Sequence, residues 1–141
     1  MAFWDASAIV PLCCSQRGTG QGRKLLREVR RMVVWWGTSV EARSAFARLV
    51  RDGQLSDVER RTAIKLLGQL RGSWDEIQPS EKVRSLAEGL PDQYGVRAAD
   101  ALQLAAALLW CGERPQRRPF VCFDERLAKA ASAAGFVVHR R

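Results

Sequence analysis

Residues 94–110, YGVRAADALQLAAALLW, decide how this chain is read. From Ala98 onward the stretch is apolar on nearly every face, and a helix apolar all round is a buried one. It nevertheless carries Asp100 near its start. An ionised carboxylate among Ala and Leu side chains is costly unless something pairs with it. Arg97, Asp100 and Gln103 follow at spacings of three, so they form the one polar stripe on the helix. Asp is also favoured near helix N-termini as a cap. For Asp100 alone, a cap and a functional group are both open readings. Whether other carboxylates meet it separates the two.

Outward from this helix, short apolar strands alternate with helices. Strands are expected at 2–4, 32–36, 74–78, 120–123 and 136–138. Helices are expected at 6–14, bent or interrupted at Pro11, and at 21–31, 38–51, 56–70, 80–90, 98–110 and 124–134. Gly18-Thr19-Gly20 reads as a loop, Pro91-Asp92 as a turn, and Gly135 as a helix C-cap. This alternation predicts an α/β fold: a central parallel sheet of four or five short strands, covered by helices on both sides. The 141 residues are expected to form a single domain, 1–141. In such folds, the carboxyl ends of the strands and the starts of the following helices share one edge, where ligands bind.

Composition narrows the chemistry. The net charge of +8 points to an anionic partner such as nucleic acid. Arg outnumbers Lys 19 to 4, and the Arg fork suits phosphate, although a GC-rich genome gives the same ratio. Four cysteines (Cys13, Cys14, Cys111, Cys122) show neither CxxC nor Cys/His zinc spacing, so reduced thiols in a cytoplasmic protein are expected. His139 is the only histidine, which argues against a His-based zinc site and a Ser-His-Asp triad. No signal peptide is read at the start, and no apolar run approaches the roughly 20 residues of a membrane span.

Most of the 15 acidic residues sit in charged surroundings; four do not. Asp5 follows Phe-Trp, Glu41 lies between Val and Ala, Asp100 between two Ala, and Asp124 follows Val-Cys-Phe. Asp5 and Asp124 suit N-caps, and Thr38 with Glu41 matches a capping box. Yet all four map to the same sheet edge, with no Lys or Arg obviously placed to neutralise them. Clustered carboxylates raise one another's pKa. A divalent cation would resolve the repulsion: Mg²⁺ and Mn²⁺ prefer oxygen ligands and meet substrates through phosphate oxygens. Such a site orients and acidifies a water. A basic surface around it suits a phosphodiester-cleaving enzyme.

At these residues the chain resembles the PIN-domain ribonucleases, and among them the VapC-like toxins of bacterial toxin–antitoxin pairs. The resemblance rests on FWDASAIV, SVEARSAFARL, YGVRAADALQLAAALLW and FVCFDERLAKAASAAGF, in order along essentially the whole chain. It implies a PIN-like α/β/α sandwich with metal-binding acids at Asp5, Glu41, Asp100 and Asp124. It implies a small hydroxyl residue near the metal, matched by Ser7, and Mg²⁺- or Mn²⁺-dependent hydrolysis of RNA leaving a 5′-phosphate. It also implies a homodimer and a cognate antitoxin that covers the acidic pocket. Two positions depart from the pattern. Gln103 stands where many relatives have His, and Cys13-Cys14 replaces more polar residues.

Arg97 is a candidate for substrate phosphate or for a salt bridge to one of the acids. Trp4, Trp35, Trp36, Trp74 and Trp110 are expected in the core. Glu125 is read as a first-turn helix residue, not a ligand. Arg114, Arg117, Arg118, Arg140 and Arg141 are candidates for RNA contact or a solvated surface. Two alternatives remain beside the RNA nuclease: a PIN-like module that binds nucleic acid or protein without cleaving, and a DNA- or structure-specific nuclease. A receiver-type domain lacks its acidic pair and its Lys here, and Asp5-Ala6-Ser7 excludes an Asp-x-Asp phosphatase.

Overall fold

The computed structural model describes every residue except 17, 30 and 141. Five strands form one sheet: β1 (Ala2–Trp4), β2 (Met32–Trp35), β3 (Asp75–Ile77), β4 (Pro119–Val121) and β5 (Val137–His139). Their order is β3-β2-β1-β4-β5, and every neighbouring pair is parallel. The helices are α1 (Ala6–Cys13), α2 (Thr19–Val29), α3 (Thr38–Arg51), α4 (Asp57–Arg71), α5 (Glu81–Glu88), α6 (Leu90–Tyr94), α7 (Ala98–Trp110) and α8 (Glu125–Ala134).

Side chains alternate across a strand, and here both faces are apolar. Phe3, Val33, Trp35 and Phe120 pack with residues of α5, α6, α7 and α8. Ala2, Trp4, Met32, Val34 and Val121 pack with residues of α1, α2, α3 and α4. The result is the expected three-layer sandwich with a core on each side of the sheet. Helix α7 is buried from Ala101 through Ala107, except for half-exposed Leu102. Among the described residues, no helix is long and apolar enough to cross a membrane.

Several local expectations are corrected. Helix α1 is not interrupted at Pro11 and continues to Cys13. The hydrogen bond lost at proline is outweighed by burial of Ala8, Ile9, Val10 and Cys13 against the sheet. Helix α2 begins at Thr19, inside the expected loop, and ends at Val29; residue 30, within the expected helix, lies outside the described residues. Gly22 lets α2 approach α1, since a Cβ there would stand 3.1 Å from Leu12 Cδ2. Residues 90–94 form the short helix α6 instead of a turn, with proline tolerated in the first turn and Gly95 closing it at a φ of 68°. Trp36 is 51% exposed, not core. The chain leaves the sheet after Trp35, and the Trp36 ring lies edge-on to Trp35 with centroids 6.5 Å apart.

These two environments predict different losses on truncation. Phe46 is 1% exposed, so Phe46→Ala should cost about 3–5 kcal/mol in chemical denaturation. Trp36→Ala should stay within about 0.5 kcal/mol of wild type. A comparable loss at both positions would contradict the placement of Trp36.

Candidate active site

The strand order places a topological switch at the β1–β4 pair. The helix after β1 packs on one face of the sheet and the helix after β4 on the other. Connections diverging in this way leave a crevice at the carboxyl ends of the two strands. Asp5 follows β1 directly, and its backbone N–H donates to Val121 O at 3.0 Å. Asp124 follows β4 by three residues.

All four singled-out acids reach this crevice. Asp5, Glu41, Asp100 and Asp124 line one cleft of about 270 Å³, together with Ser7, Ser44 and Arg48. Two of the acids are also helix caps. Asp5 Oδ2 accepts from the Ser7 N–H at 3.0 Å at the start of α1, and Asp124 Oδ1 accepts from the Leu127 N–H at 2.9 Å at the start of α8. Each cap bond engages one carboxylate oxygen, and both side chains still line the cleft. The capping and site readings are compatible here.

The other two acids are held differently. The Thr38–Glu41 capping box does not form. Gly37 is the N-cap of α3 and makes no side-chain cap bond. Fully buried Thr38 instead accepts at Oγ1 from Gln103 Nε2 at 3.0 Å, and the same nitrogen donates to Glu41 Oε1 at 3.2 Å. Asp100 sits in the first turn of α7, whose N-cap, Arg97, likewise makes no side-chain cap bond.

Ser7 lies in the cleft wall, but its hydroxyl oxygen is already engaged. Oγ accepts from the backbone N–H of Phe123 at 2.9 Å and of Asp124 at 3.2 Å. It fastens the start of α1 to the β4–α8 turn and so fixes Asp5 relative to Asp124. Arg97 is exposed beside Asp100 and is not part of the cleft wall. Glu125 is a first-turn residue, 3.9 Å from Arg140. The loop carrying Arg114, Arg117 and Arg118 precedes β4, at the opposite sheet edge from the acids. There the Arg118 guanidinium stacks 4.3 Å from the Trp110 ring centroid. Arg141 lies outside the described residues.

Sequence reading passed over Ser44 and Arg48. They follow Glu41 by three and seven residues on α3, a spacing that lays all three on one helical face. Arg126, two residues after Asp124, was also passed over; its charge is felt at Asp100.

Electrostatics show that the cluster is under strain. Burial pushes Asp5 up to about 6, against the opposing Ser7 hydrogen bonds, and Asp100 and Asp124 push in the same direction as burial. Glu41 is pushed up to about 7, first by burial and then by the Asp5 charge, with the Gln103 hydrogen bond opposing. Asp100 is also raised, by burial and by Asp124, while Arg126 and Arg97 pull it down. Among the described residues, none of the four forms a salt bridge. The donors are all hard oxygens, as a Mg²⁺ or Mn²⁺ ion would require. As the side chains stand, no group of three or more His, Cys, Asp or Glu among the described residues is placed to hold a metal ion.

The same shifts set a pH dependence. A carboxyl whose folded pKa is raised stabilises the fold when protonated, and that contribution disappears as pH rises through the folded value. For Asp5 and Glu41 the window runs from their ordinary 3.8 and 4.5 up to about 6 and about 7. Metal-free protein should therefore lose thermal stability from these groups as pH rises from about 4.5 to about 7.5. Glu41→Gln should flatten the upper part of that slope. An unchanged slope in this variant would show that Glu41 ionises freely.

No protein-family model matches the chain, and neither does any curated protein. Among solved structures it is similar to a toxin–antitoxin complex from Klebsiella pneumoniae, with a TM-score of 0.57 and 16% identity over 88% of this chain and 87% of the other. It is also similar to FitAB bound to an IR36 DNA fragment, with a TM-score of 0.63 and 14% identity over 99% of this chain and 94% of that one. Likeness at such low identity speaks to architecture alone, and the architecture is a PIN-like α/β/α sandwich.

Proposed function

We propose that this protein is the toxin of a toxin–antitoxin pair, a VapC-like endoribonuclease that cleaves RNA phosphodiester bonds with Mg²⁺ or Mn²⁺ and so inhibits translation or growth. One observation carries this reading. Four helices bring Asp5, Glu41, Asp100 and Asp124 into one cleft at the sheet's switch point, with no salt bridge to any of them among the described residues. The likeness to a toxin–antitoxin complex supports the biological role.

Asp5, Glu41, Asp100 and Asp124 would hold the ion. When bound, it would supply a polarised phosphate oxygen and an acidified water. The remaining chemistry belongs to the chain. The net charge of +8 draws RNA to the surface. Arg48 on the cleft wall, with Arg97 and Arg126 beside Asp100, offers guanidinium forks to phosphates on either side of the reacting one. Hydrolysis by water then leaves a 5′-phosphate. The proposed partners are a cognate antitoxin covering the cleft and a second copy of the chain, in the cytoplasm where the RNA lies.

Purified protein should cut a labelled RNA pool with Mg²⁺ or Mn²⁺. EDTA and Asp100→Asn should each abolish cutting. An Asn side-chain oxygen can still accept from the Arg97 backbone amide that faces Asp100, while the repulsion from Asp124 is removed, so Asp100→Asn should fold as well as wild type or better. Persistent cutting by Asp100→Asn would remove Asp100 from the site. RNA binding without cutting in any metal would favour a non-cleaving module, and cutting of DNA in preference to RNA would favour the DNA nuclease. Separately, Arg48→Ala should weaken RNA binding in gel-shift titrations while leaving Mn²⁺ affinity unchanged. A parallel loss of Mn²⁺ affinity would place Arg48 among the groups that shape the acid cluster.

A further inference from the structure

Gln103 is the one fully buried polar side chain on α7, and its amide is used unevenly. Nε2 donates both to Thr38 Oγ1 at 3.0 Å and to Glu41 Oε1 at 3.2 Å. Its Oε1 is buried with no hydrogen-bond partner. A buried, unpartnered carbonyl costs stability. Turning the amide over would not remove that cost: it would strand both N–H groups in place of one carbonyl, and would set the carbonyl against the Glu41 carboxylate once that group ionises. The arrangement therefore spends stability to keep two N–H groups on the α3 side of the cleft. One of them fixes one oxygen of the Glu41 carboxylate and leaves the other for the cleft. Thr38, itself fully buried at the start of α3, occupies the second N–H and locks the amide's orientation.

We infer that Gln103 is a positioning residue: it orients Glu41 as a divalent-cation ligand from behind, through Nε2–H···Oε1, and does not touch the ion or the substrate. This rests on the metal reading given above. Groups that orient a ligand in this way commonly contribute 10–100-fold in metal affinity. A simple packing role for Gln103 makes the opposite demand, because an apolar residue of the same shape would then serve as well or better.

The test separates the two roles by measuring Mn²⁺ affinity and metal-free stability on the same variants. Gln103→Met keeps the shape, removes the orphaned carbonyl and removes the donor. Its metal-free melting temperature should stay within about 5 °C of wild type, since removal of the orphaned carbonyl offsets the donor lost to Thr38 Oγ1, while its Mn²⁺ dissociation constant by isothermal titration should rise about tenfold. Gln103→His keeps a ring N–H donor and should recover most of the affinity. In the wild type, the Gln103 side-chain amide resonances should shift on Mg²⁺ titration and saturate together with the Asp100 backbone amide. Wild-type Mn²⁺ affinity in Gln103→Met, or side-chain amide resonances that stay fixed through Mg²⁺ saturation, would overturn the positioning role and leave the metal reading standing. Absence of Mn²⁺ and Mg²⁺ binding by the wild type would overturn both.

Discussion

Everything around the cleft follows from one electrostatic constraint. Four carboxylates share a confined space at the carboxyl edge of a parallel sheet, where burial is the largest influence on Asp5, Glu41 and Asp100. Carboxylates in such a place repel one another and resist ionisation. Among the described residues, no salt bridge relieves any of them. What holds the cluster together is hydrogen bonding: two caps, one hydroxyl clamp and one buried amide. A chain selected only for stability has no reason to gather these groups, because apolar residues of similar volume would serve the same packing at lower cost.

The hydrogen bonds divide by origin. Asp5 and Asp124 are held by the amides of the helices they begin, within three residues of sequence. Glu41 is held across the cleft by Gln103, 62 residues away. Ser7 couples the first pair, because its oxygen takes the Phe123 and Asp124 amides while its own N–H serves Asp5. The cleft is thus assembled from short local devices stitched together by two long-range ones. The switch between β1 and β4 brings the devices into register, since it sends the first helices to opposite faces and leaves the crevice between them.

The basic groups are sorted by the same geometry. Arg48, Arg97 and Arg126 lie at or near the acids. Arg118 lies at the far edge and packs on Trp110. A net charge of +8 does not distinguish these roles, because it sums over both edges. Position along the strand direction does.

The sequence by itself determined the layers, the parallel sheet and the four acids. Apolar runs of three or four residues between amphipathic helices have few other solutions. Carboxylates among Ala, Val and Phe are conspicuous because their surroundings carry no charge. The caps at Asp5 and Asp124 were legible for the same reason, since a cap bond spans only two or three residues. Only the tertiary structure decided the rest. The Thr38–Glu41 box looked local but gave way to Gln103, because a buried amide from α7 competes for both groups and no sequence interval encodes that meeting. Pro11 stayed helical because burial of its neighbours against the sheet outweighed one lost hydrogen bond. Trp36 turned outward because β2 ended one residue earlier than its apolar run. Arg48 became part of the cleft wall because α3 carries it on the same face as Glu41, and the packing of α3 against α1 sets where that face lies. In each case the deciding energy comes from contacts distant in sequence, which periodicity and capping rules do not see.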